Sequence, residues 1–155
     1  MTQITEKVLL REIKYKYIVN DRKEFKIQQS RDINQFMLPI YEATGSTEYI
    51  EEFYVLCLSR QNHIIGWYRV SSGGVSGTVV DNKVIFSIAL QCLASSIILV
   101  HNHPSGNRNP SYEDKILTNK ISAVAKELGI HLLDHVIMVH NGYFSFADEG
   151  VLIKS

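Results

Sequence analysis

Apolar and polar residues alternate along this chain with two different periods, and the switches between them mark out the elements. From Val8 to Val19, Leu9, Arg11, Ile13, Tyr15, Tyr17 and Val19 interleave with Leu10, Glu12, Lys14, Lys16 and Ile18. That pattern is nearer to period two than to helical spacing and predicts a strand. A polar, turn-like stretch over 20–29 follows. Ser30 or Asp32 is then placed to cap a helix carrying Ile33, Phe36, Met37, Ile40 and Tyr41 on one side, with Pro39 as an obstacle inside it. Ala43 to Ser46 reads as a break, the candidate boundary between an N-terminal extension, 1–46, of strand plus helix, and a core, 47–155.

The core opens with Glu51-Glu52-Phe53-Tyr54-Val55-Leu56-Cys57-Leu58, an apolar continuity that belongs inside a sheet. Asn62-His63 is a hairpin turn, with His63 a simple turn residue, and leads into a second strand over 64–70. The Gly-rich segment Ser71–Thr78 lacks the Lys-Ser/Thr ending of a phosphate cradle and reads as a flexible loop. A helix is predicted from Asn82 to Ser95 on Val84, Ile85, Ile88, Ala89 and Cys92. Ser96-Ile97-Ile98-Leu99-Val100 is a buried strand, and a helix beginning at Ser111 carries Leu117, Ile121, Val124 and Leu128, with Gly129 to end it. A strand over 130–140, an Asn141-Gly142 hairpin and Tyr143–Phe146 complete the core. Strands and helices mixed with antiparallel hairpins give an α/β sandwich.

Chemistry gathers where the strand ending at Val100 runs out. Residues two apart in an extended segment share a face, so His101 and His103 aim both imidazoles at one point while Asn102 faces away. Pro104 stops the strand, and a Ser-Gly-Asn-Arg-Asn-Pro loop returns the chain to Ser111. Asp114 lies in the first helical turn, within reach of the two imidazoles. Two neutral nitrogens and one carboxylate leave a tetrahedral ion one open position, the pattern expected of catalytic zinc. Ser111-x-x-Asp114 is equally a capping box, in which serine and acid satisfy backbone N–H groups at a helix start. Asp134-His135 reads as a buried polar pair at a strand start, with orientation of a ligand imidazole as the alternative. His131 and His140 carry no signal.

Composition narrows the partners. Hydrophobic residues make up 45% of the 155, enough for one compact domain with a core. Sixteen basic and 16 acidic residues cancel, so no global field draws the protein to nucleic acid or to anionic membranes. DNA contact would rest on Lys7, Arg11, Lys14, Lys16, Arg22, Lys23 and Lys26, interleaved with Tyr15, Tyr17 and Phe25, a stretch read more simply as a half-buried strand with a solvated charged face. Cys57 and Cys92 sit in apolar patterns as reduced, structural thiols. With no signal peptide and no apolar run near the roughly 20 residues a membrane helix requires, a cytoplasmic protein is expected.

His101-x-His103, seven residues, then Ser111-x-x-Asp114 resembles the JAMM signature of the MPN/JAB metallopeptidases. His-Asn-His-Pro-Ser-Gly followed by Pro110-Ser111 is similar to the RadC branch in particular. So are Glu51-Glu52-Phe53, Gly74–Thr78, Leu133-Asp134-His135 and Tyr143–Ala147. Asn82-Lys83 departs from the Pro-Arg that many relatives carry before a helix. The resemblance implies an MPN/JAB-type sandwich: a mixed, mostly antiparallel sheet flanked by helices, layered as in cytidine deaminases, though the Pro-Cys-x-x-Cys of zinc deaminases is absent. It also implies Zn2+ held by His101, His103 and Asp114, Glu51 as general base, and Ser111 donating to the oxyanion. Choosing Glu51 over Glu52 follows the family's Glu-x-Phe. Peptide or protein-conjugate bonds are the implied substrate, and a DNA-repair accessory role is the alternative. The front helix-hairpin-helix module of many RadC proteins is not expected here.

Overall fold

The computed structural model describes residues 24–45, 47–73 and 79–152. The strand predicted over Val8–Val19, the glycines of 74–78 and most of the basic N-terminal stretch lie outside them. The order of elements is α1 (Ser30–Thr44), β1 (Glu51–Leu58), β2 (Ile64–Gly73), α2 (Asn82–Gln91), β3 (Ser96–Asn102), α3 (Tyr112–Glu127), β4 (His131–Val139) and β5 (Gly142–Ser145). Five strands form one sheet in the order β2-β1-β3-β4-β5. Only β3–β4 is a parallel pair, joined through α3, and the other three pairings are antiparallel.

Alternation along the central strands assigns residues to two layers. Phe53, Val55 and Cys57 of β1, with Ile97 and Leu99 of β3, face Ile85, Phe86 and Ala89 of α2 and Ile121 and Ala125 of α3. Tyr54, Leu56 and Leu58, with Ile98 and Val100, face Ile33, Met37 and Tyr41 of α1. The sheet is therefore covered on both sides, as its continuous apolar strands require. Each fully buried Leu, Ile or Phe contributes about 1.5–3 kcal/mol relative to exposure.

Local details depart from the sequence reading in instructive ways. Gln29, not Ser30 or Asp32, occupies the N-cap of α1. Asp32 instead accepts the backbone N–H groups of Gln28 (2.8 Å) and Gln29 (3.0 Å), and Ser30 turns inward to Tyr143 and Asp148. The helix runs through Pro39 because that residue lies on the exposed face, where water can take the carbonyl its ring leaves unpaired. It stops at Gly45 in the left-handed region (φ 65°). Helix α2 ends at Gln91, short of Ser95, since Leu93 adopts φ 52° and Ala94 N–H closes onto the Ala89 carbonyl. Asn82 and Lys83 form its first turn, capped by Asp81, so the departure from Pro-Arg falls in a helix start rather than a loop. In α3 the buried face is Thr118, Ile121 and Ala125, while Val124 and Leu128 are exposed. A threonine at the centre of a core face signals polar partners. Cys57 is buried and Cys92 partly so; both are free thiols, and burial, with Cys92 beside it, pushes the Cys57 thiol up to about 12.

Candidate metal centre

Strand parity delivers the site. Phe53 of β1 is paired opposite His101 of β3, so Glu51, on the same face as Phe53, lies beside the point where the chain leaves the sheet toward His103. Glu52 has the opposite parity and is buried on the α1 side, with Tyr54 Oη 2.8 Å and Arg69 3.5 Å from its carboxylate. Glu51 Oε1 is 3.9 Å from His101 Nε2. One donor atom from each of Glu51, His101 and His103 falls within a 4.8 Å cluster.

Asp114 closes the group from the first turn of α3. Its Oδ1 is 3.2 Å from His101 Nε2 and its Oδ2 is 3.4 Å from His103 Nε2, while the two Nε2 atoms are 3.0 Å apart. Donors bound at 2.0–2.1 Å to one tetrahedral ion stand about 3.3 Å from each other; the two imidazole nitrogens meet that spacing, and the Asp114 carboxylate approaches each of them through a different oxygen. Glu51, at 3.9 Å, is the outlying member of the set. The capping box is present as well. Ser111 Oγ accepts from Asp114 N–H (3.0 Å), and Asp114 Oδ2 accepts from Ser111 N–H (2.7 Å), which leaves Oδ1 toward His101. The cap occupies a lone pair of the serine oxygen and not its proton. The Ser111 hydroxyl can therefore accept in the cap and still donate its proton elsewhere.

Electrostatics bind these groups to one another. Burial pushes Asp114 up, but hydrogen bonds from both imidazoles, their charge and the Ser111 N–H outweigh it and hold the carboxyl well below the usual range. Burial lowers His103. The Asp114 carboxylate and the Asn107 carbonyl, 2.6 Å from His103 Nδ1, more than reverse that. Burial raises Glu51 and the two histidines pull it down, leaving it above the ordinary carboxylate value, as suits a proton carrier.

Three residues beyond the motif complete the surroundings. Asn102 does face away from the histidines, but it is not idle. Its Oδ1 accepts from Glu52 N–H (2.7 Å), and its Nδ2 donates to the carbonyls of Thr47 (2.8 Å) and Ile50 (2.9 Å), stapling the approach to Glu51 onto β3. His135, fully buried, places Nε2 2.8 Å from His101 Nδ1 and Nδ1 2.6 Å from Thr118 Oγ1. Asp134 accepts from the N–H groups of His135 and Ala147 and from Ser145 Oγ. So of the Asp134-His135 pair the carboxylate is structural and the imidazole touches the site. Beside His103 opens a groove of about 500 Å3, walled by Leu38, Tyr41, Thr47, Tyr49, Pro104 and His140.

A profile of the RadC-like JAB domain matches residues 27–151. The chain belongs to the RadC-like JAB family. Its α/β sandwich with a five-stranded mixed sheet is the fold expected of that family. Relatives include a UPF0758 protein of Flavobacterium johnsoniae, 42% identical over 126 residues (81% of this chain and 53% of the relative). Another, from Porphyromonas gingivalis, is 48% identical over 103 residues (66% and 45%). A third, from Thermotoga maritima, is 36% identical over 115 residues (73% and 52%). The chain spans about half the length of the curated relatives it matches. Among the described residues no helix is long and apolar enough to cross a membrane. Of the basic and aromatic residues proposed for DNA contact, Phe25 and Lys26 are described. Phe25 packs on Phe36 of α1, and Lys26 bridges to His63.

Proposed function

We propose that this RadC-like JAB domain is a zinc-dependent hydrolase of the JAMM type that cleaves peptide or isopeptide bonds. The observation that carries the reading is the convergence of His101 and His103 Nε2, 3.0 Å apart, with the Asp114 carboxylate, whose two oxygens lie 3.2 and 3.4 Å from them, and a half-buried Glu51 carboxylate 3.9 Å from His101. Neutral imidazoles and a carboxylate form a borderline donor set that suits zinc and leaves one position open. When bound, the ion would supply Lewis acidity toward a carbonyl oxygen and toward water.

The remaining work falls to this chain's own residues. Glu51 accepts a proton from the attacking water and delivers it to the departing nitrogen, so the amide is cleaved without releasing an unstable amide anion. Ser111, its lone pair held by Asp114 N–H, keeps its own proton for the developing oxyanion, an interaction worth about 3 kcal/mol when preorganised. The groove beside His103 gives the substrate chain a place next to the reacting carbonyl.

Elemental analysis of the dialysed protein, combined with cleavage of a peptide library, tests this. The wild type is expected to hold one zinc and to cleave. The Glu51→Gln protein should hold zinc and lose cleavage, and the His101→Ala protein should lose both. A wild type that takes up no zinc when resupplied, or a fully active Glu51→Gln protein, would overturn the assignment.

A further inference from the structure

His101, His135 and Thr118 lie in a line of hydrogen bonds whose direction is fixed by chemistry once one end is known. That end is supplied by the metal-site reading above. His101 Nε2 faces His103 Nε2 and Asp114 Oδ1, so it must keep its lone pair to bind an ion. The neutral imidazole then carries its proton on Nδ1. That proton points at His135 Nε2, 2.8 Å away, which must therefore accept, leaving the His135 proton on its own Nδ1. Thr118 Oγ1, 2.6 Å from that nitrogen, accepts it and donates its single proton to the Asp114 carbonyl at 2.6 Å. Every donor in the series has one acceptor and no proton is left over. Both rings are wholly buried and Thr118 is 1% exposed, so no water stands in for a missing partner.

The rings are also clamped. Phe53 stacks on His101 (centroids 5.6 Å apart, planes 14° apart), and Phe146 stacks on His135 (4.8 Å, 15°). His135 is held in place from β4, where its N–H bonds to Asp134 Oδ1. The series begins at the ligand on β3 and ends on the backbone of the ligand on α3.

We propose that His135 and Thr118 are positioning residues that fix His101 in the tautomer able to bind the ion and tie the helix bearing Asp114 to the strand bearing His101. Neither side chain is a ligand. Without the threonine oxygen, the His135 proton is either stranded or moves to Nε2. In the second case it confronts His101 Nδ1 and drives the His101 proton onto Nε2, the atom the ion needs. Partners of metal-bound histidines characteristically change metal affinity by 10–100-fold when removed.

The test uses the full chain and three proteins: wild type, Thr118→Val and Thr118→Ser. Zinc affinity is read by competition with a chromogenic chelator, metal-free stability by urea unfolding, and imidazole tautomers by 15N NMR of the zinc-loaded protein. Thr118→Val should bind zinc 10–100-fold more weakly, with Thr118→Ser restored to within about threefold of wild type. Wild-type His101 and His135 should both carry their protons on Nδ1. Thr118→Val with wild-type zinc affinity, whatever its stability, would overturn the proposal alone. So would a zinc-loaded wild type whose His135 is protonated on Nε2, a reading that needs no variant to fold. A wild type that binds no zinc would overturn the metal-site reading and this proposal with it.

Discussion

Replacing Asn102 with alanine should loosen the segment that leads into Glu51 without removing a single group from the donor cluster. Asn102 is 5% exposed and satisfies three backbone groups at once: the buried N–H of Glu52 and the carbonyls of Thr47 and Ile50. Truncation leaves the Glu52 N–H buried without an acceptor, at about 1–3 kcal/mol. It also removes the donor from two partly buried carbonyls, each worth about 1 kcal/mol net. Together the loss is about 3–5 kcal/mol, a large share of the 5–15 kcal/mol that stabilises a typical domain. Asn102→Asp should be no better, because it keeps the acceptor for Glu52 N–H but turns a carboxylate oxygen toward two carbonyls. Urea unfolding of the metal-free proteins at constant m-value measures the difference, and hydrogen exchange at the Glu52 amide localises it. Asn102→Ala within 0.5 kcal/mol of wild type, with the Glu52 amide still protected, would refute the staple.

Two further outcomes follow from groups away from the donors. Burial pushes Asp134 up to about 6 from an ordinary value of 3.8, despite acceptance from Ser145, Ala147 and His135. The folded protein thus takes up a proton as pH falls through 6, while the unfolded chain waits until about 4. Charging Asp134 costs roughly 3 kcal/mol at neutral pH, and that cost is relieved on acidification between pH 6 and 4. Asp134→Asn should therefore gain on wild type in stability by up to that amount from pH 4.5 to 7.5 in urea unfolding, and an unchanged difference would exclude it. Gly106 has φ 80°, and an added Cβ would lie 3.1 Å from His140 Cε1. Gly106→Ala should cost about 1–2 kcal/mol from the left-handed backbone and weaken zinc binding, because its loop carries the Asn107 carbonyl that orients His103. Thermal melts with and without zinc check both effects, and identical melts would contradict them.

The parts of the site that sequence could disclose are those with short spacing. His101 and His103 are legible because period-two alternation puts them on one face, and Asp114 because a capping serine fixes the helix start three residues before it. The choice of Glu51 over Glu52 rests on resemblance; in the structure Glu51 lies 3.9 Å from His101 and Glu52 is buried on the opposite face. Thr118, His135 and Asn102 were hidden for different reasons. Thr118 lies outside the predicted stripe of Leu117, Ile121, Val124 and Leu128, and its isolated hydroxyl carries no pattern. His135 meets His101 only through the parallel register of β3 and β4, in which Leu99 stands beside His135. Asn102 turns away from the histidines as strand alternation requires, but what it meets there depends on the path of 47–52. Asp134-His135, a polar pair inside an apolar strand, is the clue in the sequence to a buried hydrogen-bond series.

The origin of the donors in the chain bears on the order in which the protein is built. His101, His103 and Asp114 belong to one short segment, whereas Glu51 reaches them only after the antiparallel β1–β3 pairing has formed. Closing the shorter loop costs about 1 kcal/mol less in chain entropy, and α3 with the β3–β4 pair supplies the more local contacts. During folding, capacity to capture the ion should therefore appear before capacity to move a proton. In a stopped-flow refolding experiment, cobalt(II) absorption would rise ahead of hydrogen-exchange protection across the β1–β3 pairing. If the metal-site reading holds, a chain caught between those two events would bind the ion and still lack the carboxylate beside it.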